Sequence, residues 1–242
     1  MAVAAGLVGC FAVMRRMTLA SDAISHVALP GIGIALALHV HPVVGGLAAL
    51  FLGTLLIWAL ERKTRIPTET IIGVVFSAAL AIGSMLTSGE ELIEALFGAA
   101  RAPGRVETLL GFASALLVVA YIVRARDRLV IALVSPDLAR TVGIDGAKLD
   151  LLFLLAFALT VALGLRYLGV LLMGSLIIIP AATAKYVARS LRGMFLVAVS
   201  VAVAATLFGL LAAPLLHVDA GPLIIALAAG FFFASLARRR RG

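Results

Sequence analysis

The sequence predicts an all-α, polytopic bundle of about nine membrane-spanning helices, and three observations carry that expectation. Hydrophobic residues fill 63% of the 242 positions and charged residues 13%, against an apolar share of about 45–50% in soluble domains. The mean hydropathy is +1.18. The apolar stretches run to membrane-helix length and are parted by short charged or Gly/Pro-containing connections. One transmembrane domain is expected over residues 1–242. The single Cys10 excludes an intrachain disulfide and a cysteine-built zinc cluster.

The first apolar stretch, residues 1–14, reaches only about 21 Å as a helix, against a hydrocarbon core of roughly 30 Å. It is read as a truncated first span. No basic segment precedes it, and Arg15 and Arg16 stand where a signal cleavage site would lie. The second span, residues 18–38, carries Asp22 and His26 four positions apart, so on a helix they share a face. An ionisable side chain at membrane depth costs about 2.5–3.5 kcal/mol on insertion scales, and such residues usually face a bundle interior and mark an ion or proton pathway. A helix-capping acid followed by a satisfied core histidine is the plainer account, and the two residues alone leave both open. Pro30, flanked by Gly31 and Gly33, predicts a kink or a broken helix beside the pair, because proline removes a backbone donor.

His39 and His41 alternate where this span ends. At an outer cavity mouth two imidazoles would hand on a borderline cation, while turn histidines without that role are the more ordinary case. The third span, residues 43–60, ends in ERKTR. The fourth, residues 70–88, carries Gly73, Ser77 and Ala81 in a small-residue stripe expected to pack against another helix. Glu90, Glu91 and Glu94 follow in a connection that either attracts cations or is simply solvated.

The fifth span, residues 106–123, leads into the longest polar connection, residues 124–150. Within it VSPDLARTVGI is written as a capped helix. Ser135 is the N-cap, Pro136 takes the first helical position, Asp137 the first turn, and Gly143 lies past the end, with Leu138 and Ala139 between. A short rigid helix on a basic membrane surface suits docking to a soluble partner; an ordinary loop helix is the alternative. Three spans follow at residues 151–165, 168–187 and 193–216, with a second kink expected at Pro180. The last, residues 222–236, runs into Arg238, Arg239, Arg240 and Arg241, a stop-transfer anchor on an anionic leaflet.

In this arrangement every Lys and Arg of the 20 falls on one side of the membrane except Arg101, Arg105 and Arg166. Cytoplasmic loops carry the basic excess, which places the N-terminus outside and the C-terminus inside. The net charge of +8 is therefore a topology signal and calls for no nucleic-acid partner.

Four segments together resemble a known family: GCFAVMRRMTLASDAISHVALPGIGIAL (Gly9 to Leu36), SPDLARTVGI (Ser135 to Ile144), YLGVLLMGSLIIIPAATAKYVARS (Tyr167 to Ser190) and DAGP (Asp219 to Pro222). In order and spacing they are similar to the membrane permease subunit of bacterial ATP-binding-cassette importers for zinc, manganese and iron(II). The departure is at the front, where that family usually has further residues completing the first helix. The resemblance implies that Asp22 and His26 face the pathway near a permease dimer axis as transient ligands of a transported metal. It also implies that Ser135 to Gly143 form a coupling helix seated on a nucleotide-binding subunit. The expected partners are a second permease subunit, identical or similar, two cytoplasmic ATP-binding subunits, an extracytoplasmic metal-binding protein and membrane lipid, in the bacterial inner membrane. No permanently bound cofactor is expected. No GxxxxGK[ST] sequence occurs, so ATP hydrolysis is assigned to a separate subunit and the chain to transport, not catalysis. Three other readings stay open: a permease for a chelated metal such as a siderophore or cobalamin, an ATP-independent secondary metal transporter, and an intramembrane metalloenzyme. The last is weakened by the lack of an H-E-x-x-H pair.

Overall fold

A computed structural model of the chain describes residues 1–17, 20–64, 66–86, 104–168 and 170–239, and within these the structure is all helical. The first helix, α1 (Ala2–Met14), is apolar on every side and buried from Ala4 to Val13, as expected of a helix with no polar face. The helices written below as α9 (Val170–Val187) and α10 (Leu191–Leu216) enclose it.

The second predicted span is two helices, α2 (Ala20–His26) and α3 (Ala28–Ala37), separated at Val27. Pro30 has no N–H to give the carbonyl of His26 one turn back. The ladder therefore stops three residues before the proline, and Pro30 takes the third position of a new helix, where donors have no intrahelical partner anyway. α3 packs chiefly on α4 (Pro42–Lys63) and also on α5 (Thr68–Leu86), whereas α2 packs on α5, on α8 (Gly146–Leu168) and on α9. Gly31 and Gly45 bring α3 and α4 together: a Cβ on either would drive into the other's carbonyl oxygen. Pro180 behaves differently from Pro30. It lies inside α9, which continues through it unbroken, as does α10 through Pro214.

One sequence-based boundary is corrected. The fifth helix does not end at residue 123: α6 (Arg105–Val134) runs for 30 residues. Buried Val118, Ile122, Ala125 and Leu129 continue one helical face straight through the arginine-rich stretch. The connection 124–150 is therefore the end of α6, the short α7 (Pro136–Thr141) and the first turn of α8. The Gly73, Ser77 and Ala81 stripe of α5 is exposed, and the face that packs inside this chain is Ile72, Val75, Ala79 and Gly83. Four-residue spacing defines a face without saying which neighbour it meets.

Four helices close alike, with a residue of positive φ just past the end: Arg16 (61°), His39 (55°), Gly143 (76°) and His217 (55°). At α7 the Gly143 N–H donates to Arg140 and the Ile144 N–H to Ala139; at α3 His39 donates to Leu36 and Val40 to Ala35.

Among the described residues six helices are long and apolar enough to cross a membrane: α4, α5, α6, α8, α10 and α11 (Ala220–Arg239). α1, α2 with α3, and α9 contain shorter apolar segments. The exterior is that of a lipid-solvated protein, with Leu52, Leu109, Phe112, Leu196 and Phe233 exposed. Buried Thr54, Thr160 and Thr183 each donate to the carbonyl four residues earlier, so their hydroxyls need no partner from outside the helix.

Candidate functional site

The site grows from α2. Ile24 and Ser25 are fully buried in the bundle, and His26 is half-buried with its imidazole edge-on to Phe76 of α5, ring centroids 5.3 Å apart at 82°. Asp22 occupies α2 one turn before His26; its side chain lies outside the described residues. Among the described residues no three His, Cys, Asp or Glu side chains form a metal-sized group.

The other two histidine candidates are not brought to this pair. α3 stands between them, 10 residues or about 15 Å of helix. Both are exposed, and both serve helix ends. His39 closes α3 in the left-handed conformation, and His41 caps α4, its Nδ1 accepting from the Val43 N–H at 3.4 Å with Pro42 at the first helical position. Glu90, Glu91 and Glu94 lie outside the described residues.

At the other end of the bundle the capped helix takes the form its sequence dictates. The Ser135 hydroxyl accepts from the Leu138 N–H at 3.2 Å, Pro136 opens α7, and Gly143 supplies the positive φ that closes it. Ala139 is buried against the bundle, while Pro136, Asp137, Leu138, Arg140 and Val142 are exposed, a mixed apolar and charged surface. Asp145 then caps α8. The Lys148 N–H, donating to it at 3.1 Å, holds its carboxyl below the usual carboxylate range, and the Lys148 ammonium 3.6 Å away adds to that.

Sequence reasoning missed what anchors this first turn of α8. Arg15, at the end of α1, pairs with Asp150 at 2.7 Å and stacks over Phe153 at 4.4 Å. Trp58 of α4 donates its indole N–H to the Ala147 carbonyl at 3.0 Å, and Arg62 lies over the Trp58 ring at 5.1 Å. The only signal was position, since each cation follows directly on an apolar span; partners 135 residues apart leave no local pattern.

An apolar, lipid-facing bundle that keeps an imidazole inside, on a helix broken directly after it, defines the class: a polytopic transport permease. Comparison with known proteins narrows this. The family model described as the ABC 3 transport family matches residues 1–239, and the chain belongs to that family. It is 30% identical over 240 residues to the high-affinity zinc uptake system membrane protein ZnuB of Haemophilus influenzae, covering 96% of this chain and 91% of that one. It is also 30% identical over 237 residues to the manganese import system permease protein ScaB of Streptococcus gordonii, covering 96% and 85%. Among solved structures, PsaBC from Streptococcus pneumoniae in complex with Fab superposes with a TM-score of 0.82 at 28% identity, covering 97% of this chain and 86% of that one.

Proposed function

We propose that this chain forms half of the translocation pathway of an ATP-driven importer for a bare divalent transition-metal cation, zinc, manganese or iron(II). The observation that carries the reading is the place of His26 on an interior helix, one turn after Asp22 and directly before a helix break. Relatives named for zinc and manganese support it and favour a bare ion over a chelate. One carboxylate and one imidazole make a mixed O/N site that such ions accept. Two ligands are half of what zinc usually takes, so a second permease subunit completes the coordination by repeating the pair. A site this sparse also releases its ion.

Two cytoplasmic ATP-binding subunits dock on the exposed face of α7, and their closure on ATP is carried through Ser135 to Gly143 into α8. A metal-binding protein delivers the ion at the opposite face, beside His39 and His41. The chain crosses the bacterial inner membrane nine times, N-terminus outside and C-terminus inside, which sets the basic helix ends in the cytoplasm.

The test is ATP-dependent uptake of radiolabelled zinc and manganese by proteoliposomes holding the full assembly, comparing wild type with Asp22→Ala and His26→Ala. Each substitution abolishes uptake while assembly and ATP hydrolysis persist, and the better-transported label names the metal. Uptake that survives both makes the pair structural and overturns the proposed site.

A further inference from the structure

A cavity of about 460 Å³ opens between the ends of α9, α10 and α11, far from α2 in sequence and unused by the transport reading. Its volume falls in the roughly 300–1,000 Å³ range of small-molecule sites. Arg189 stands at its rim, Tyr186 beside it, and Val201 and Phe231 line it deeper in the bundle. Val201 lies about 16 Å along α10 from the Ser190 cap at roughly 1.5 Å per residue, so the cavity runs from a helix end into the apolar zone. The two aliphatic hydroxyls on its wall are turned to their own helices, Thr183 donating to the Ile179 carbonyl at 2.8 Å and Ser235 to the Phe232 carbonyl at 2.6 Å, and the Tyr186 phenol is the third hydroxyl of the lining. The wall is thus apolar in practice, and the charge sits at the mouth.

The surroundings of the mouth carry one sign. At the neighbouring ends of α9 and α10 the sequence has Lys185, Arg189 and Arg192, and the one acid from residue 151 to the end, Asp219, lies at the opposite end of α11. Arg189 is exposed, and among the described residues no carboxylate pairs with it. An occupant must therefore be an amphiphile, with a negatively charged head for Arg189 and a hydrocarbon tail for Val201 and Phe231. We infer that the α9–α10–α11 cavity binds an anionic phospholipid of the basic-side leaflet, its phosphate on Arg189 and one acyl chain between α10 and α11. Basic pockets between membrane helices take acidic lipid head groups for this reason. A tyrosine at the mouth suits the head-group level.

The experiment is native mass spectrometry of the purified full chain and of its complex with the ATP-binding subunits, after exchange into detergent with dioleoyl phosphatidylglycerol or dioleoyl phosphatidylcholine. The chain retains phosphatidylglycerol selectively, and Arg189→Gln weakens retention about fivefold, the factor for one basic residue at a membrane surface. Arg128→Gln, which removes an exposed charge from α6 away from the cavity, leaves retention unchanged. Val201→Phe fills the deep end and lowers retention without touching charge. Equal retention of the zwitterionic lipid, an Arg189→Gln variant that binds as wild type, or loss of the lipid when the ATP-binding subunits assemble would each overturn the assignment, the last by giving this face to a protein partner. None of these outcomes depends on the transported ion.

Discussion

Removing either member of the Arg15–Asp150 pair should have unequal consequences, because the two sit in different surroundings. The Arg15 side chain is 13% exposed and Asp150 42%, with N···O at 2.7 Å. A charge-assisted hydrogen bond contributes about 1.5–3 kcal/mol, and the half-open carboxylate places this one near the lower end. Asp150→Asn strands a largely covered guanidinium, adding a desolvation penalty of order 1–3 kcal/mol; the total is about 2.5–4.5 kcal/mol. Arg15→Leu leaves a carboxylate that water can reach, and leucine still covers Phe153, so little beyond the bond and a cation–π contact of about 0.5–1 kcal/mol is lost. The expected cost is about 2–2.5 kcal/mol. The double variant should be more stable than Asp150→Asn alone, since nothing charged is then left covered. Apparent Tm of the purified chain in detergent resolves this at about 2–4 °C per kcal/mol for a chain of this size. Arg15→Leu costing as much as Asp150→Asn, or additive losses in the double variant, would refute the argument from unequal burial.

Gly31→Ala and Gly45→Ala each force α3 from α4 and should cost about 1–3 kcal/mol in a thermal melt, whereas Gly46→Ala, whose new methyl meets side chains and no backbone, Ile32 at 3.2 Å and Ala28 at 3.7 Å, should cost less. His39→Gly relieves a left-handed residue, a conformation that costs an L-residue about 1–2 kcal/mol. The apparent Tm should rise with uptake intact, and uptake lost at a raised Tm would put His39 on the pathway. Asp145 has a lowered folded-state pKa, so its capping contribution is present above the usual carboxylate range and fades as pH falls through the lowered value. Asp145→Ala should therefore lower Tm at neutral pH and leave a smaller difference from wild type in strong acid.

Composition made the helical bundle legible, because only closed hydrogen bonding survives in hydrocarbon and this chain has apolar runs to match. The short α7 was legible residue by residue, since Ser135, Pro136 and Gly143 each answer a local backbone need. Pro30 announced a break, but its place at Val27 follows from which carbonyl the proline deprives, a turn upstream. The end of α6 was misread because Arg124, Arg126 and Arg128 look like a loop, while the buried residues between and beyond them keep helical period. The outward face of the Gly73 stripe, the His26–Phe76 contact and the Arg15–Asp150 pair depend on which helices are neighbours, and sequence spacing holds no such information.

The interruption at Val27 also divides loyalties within one predicted span. α2 packs on α8 and α9, α3 is fastened to α4 through the glycine contact, and α5 lies against both. A continuous helix bending between two such blocks would have to stretch its own backbone hydrogen bonds. Here the rung below Pro30 was never available, so the angle between α2 and α3 can change with no further bond broken. The joint lies at the residue after His26, where a small rotation of one block against the other alters what that imidazole faces.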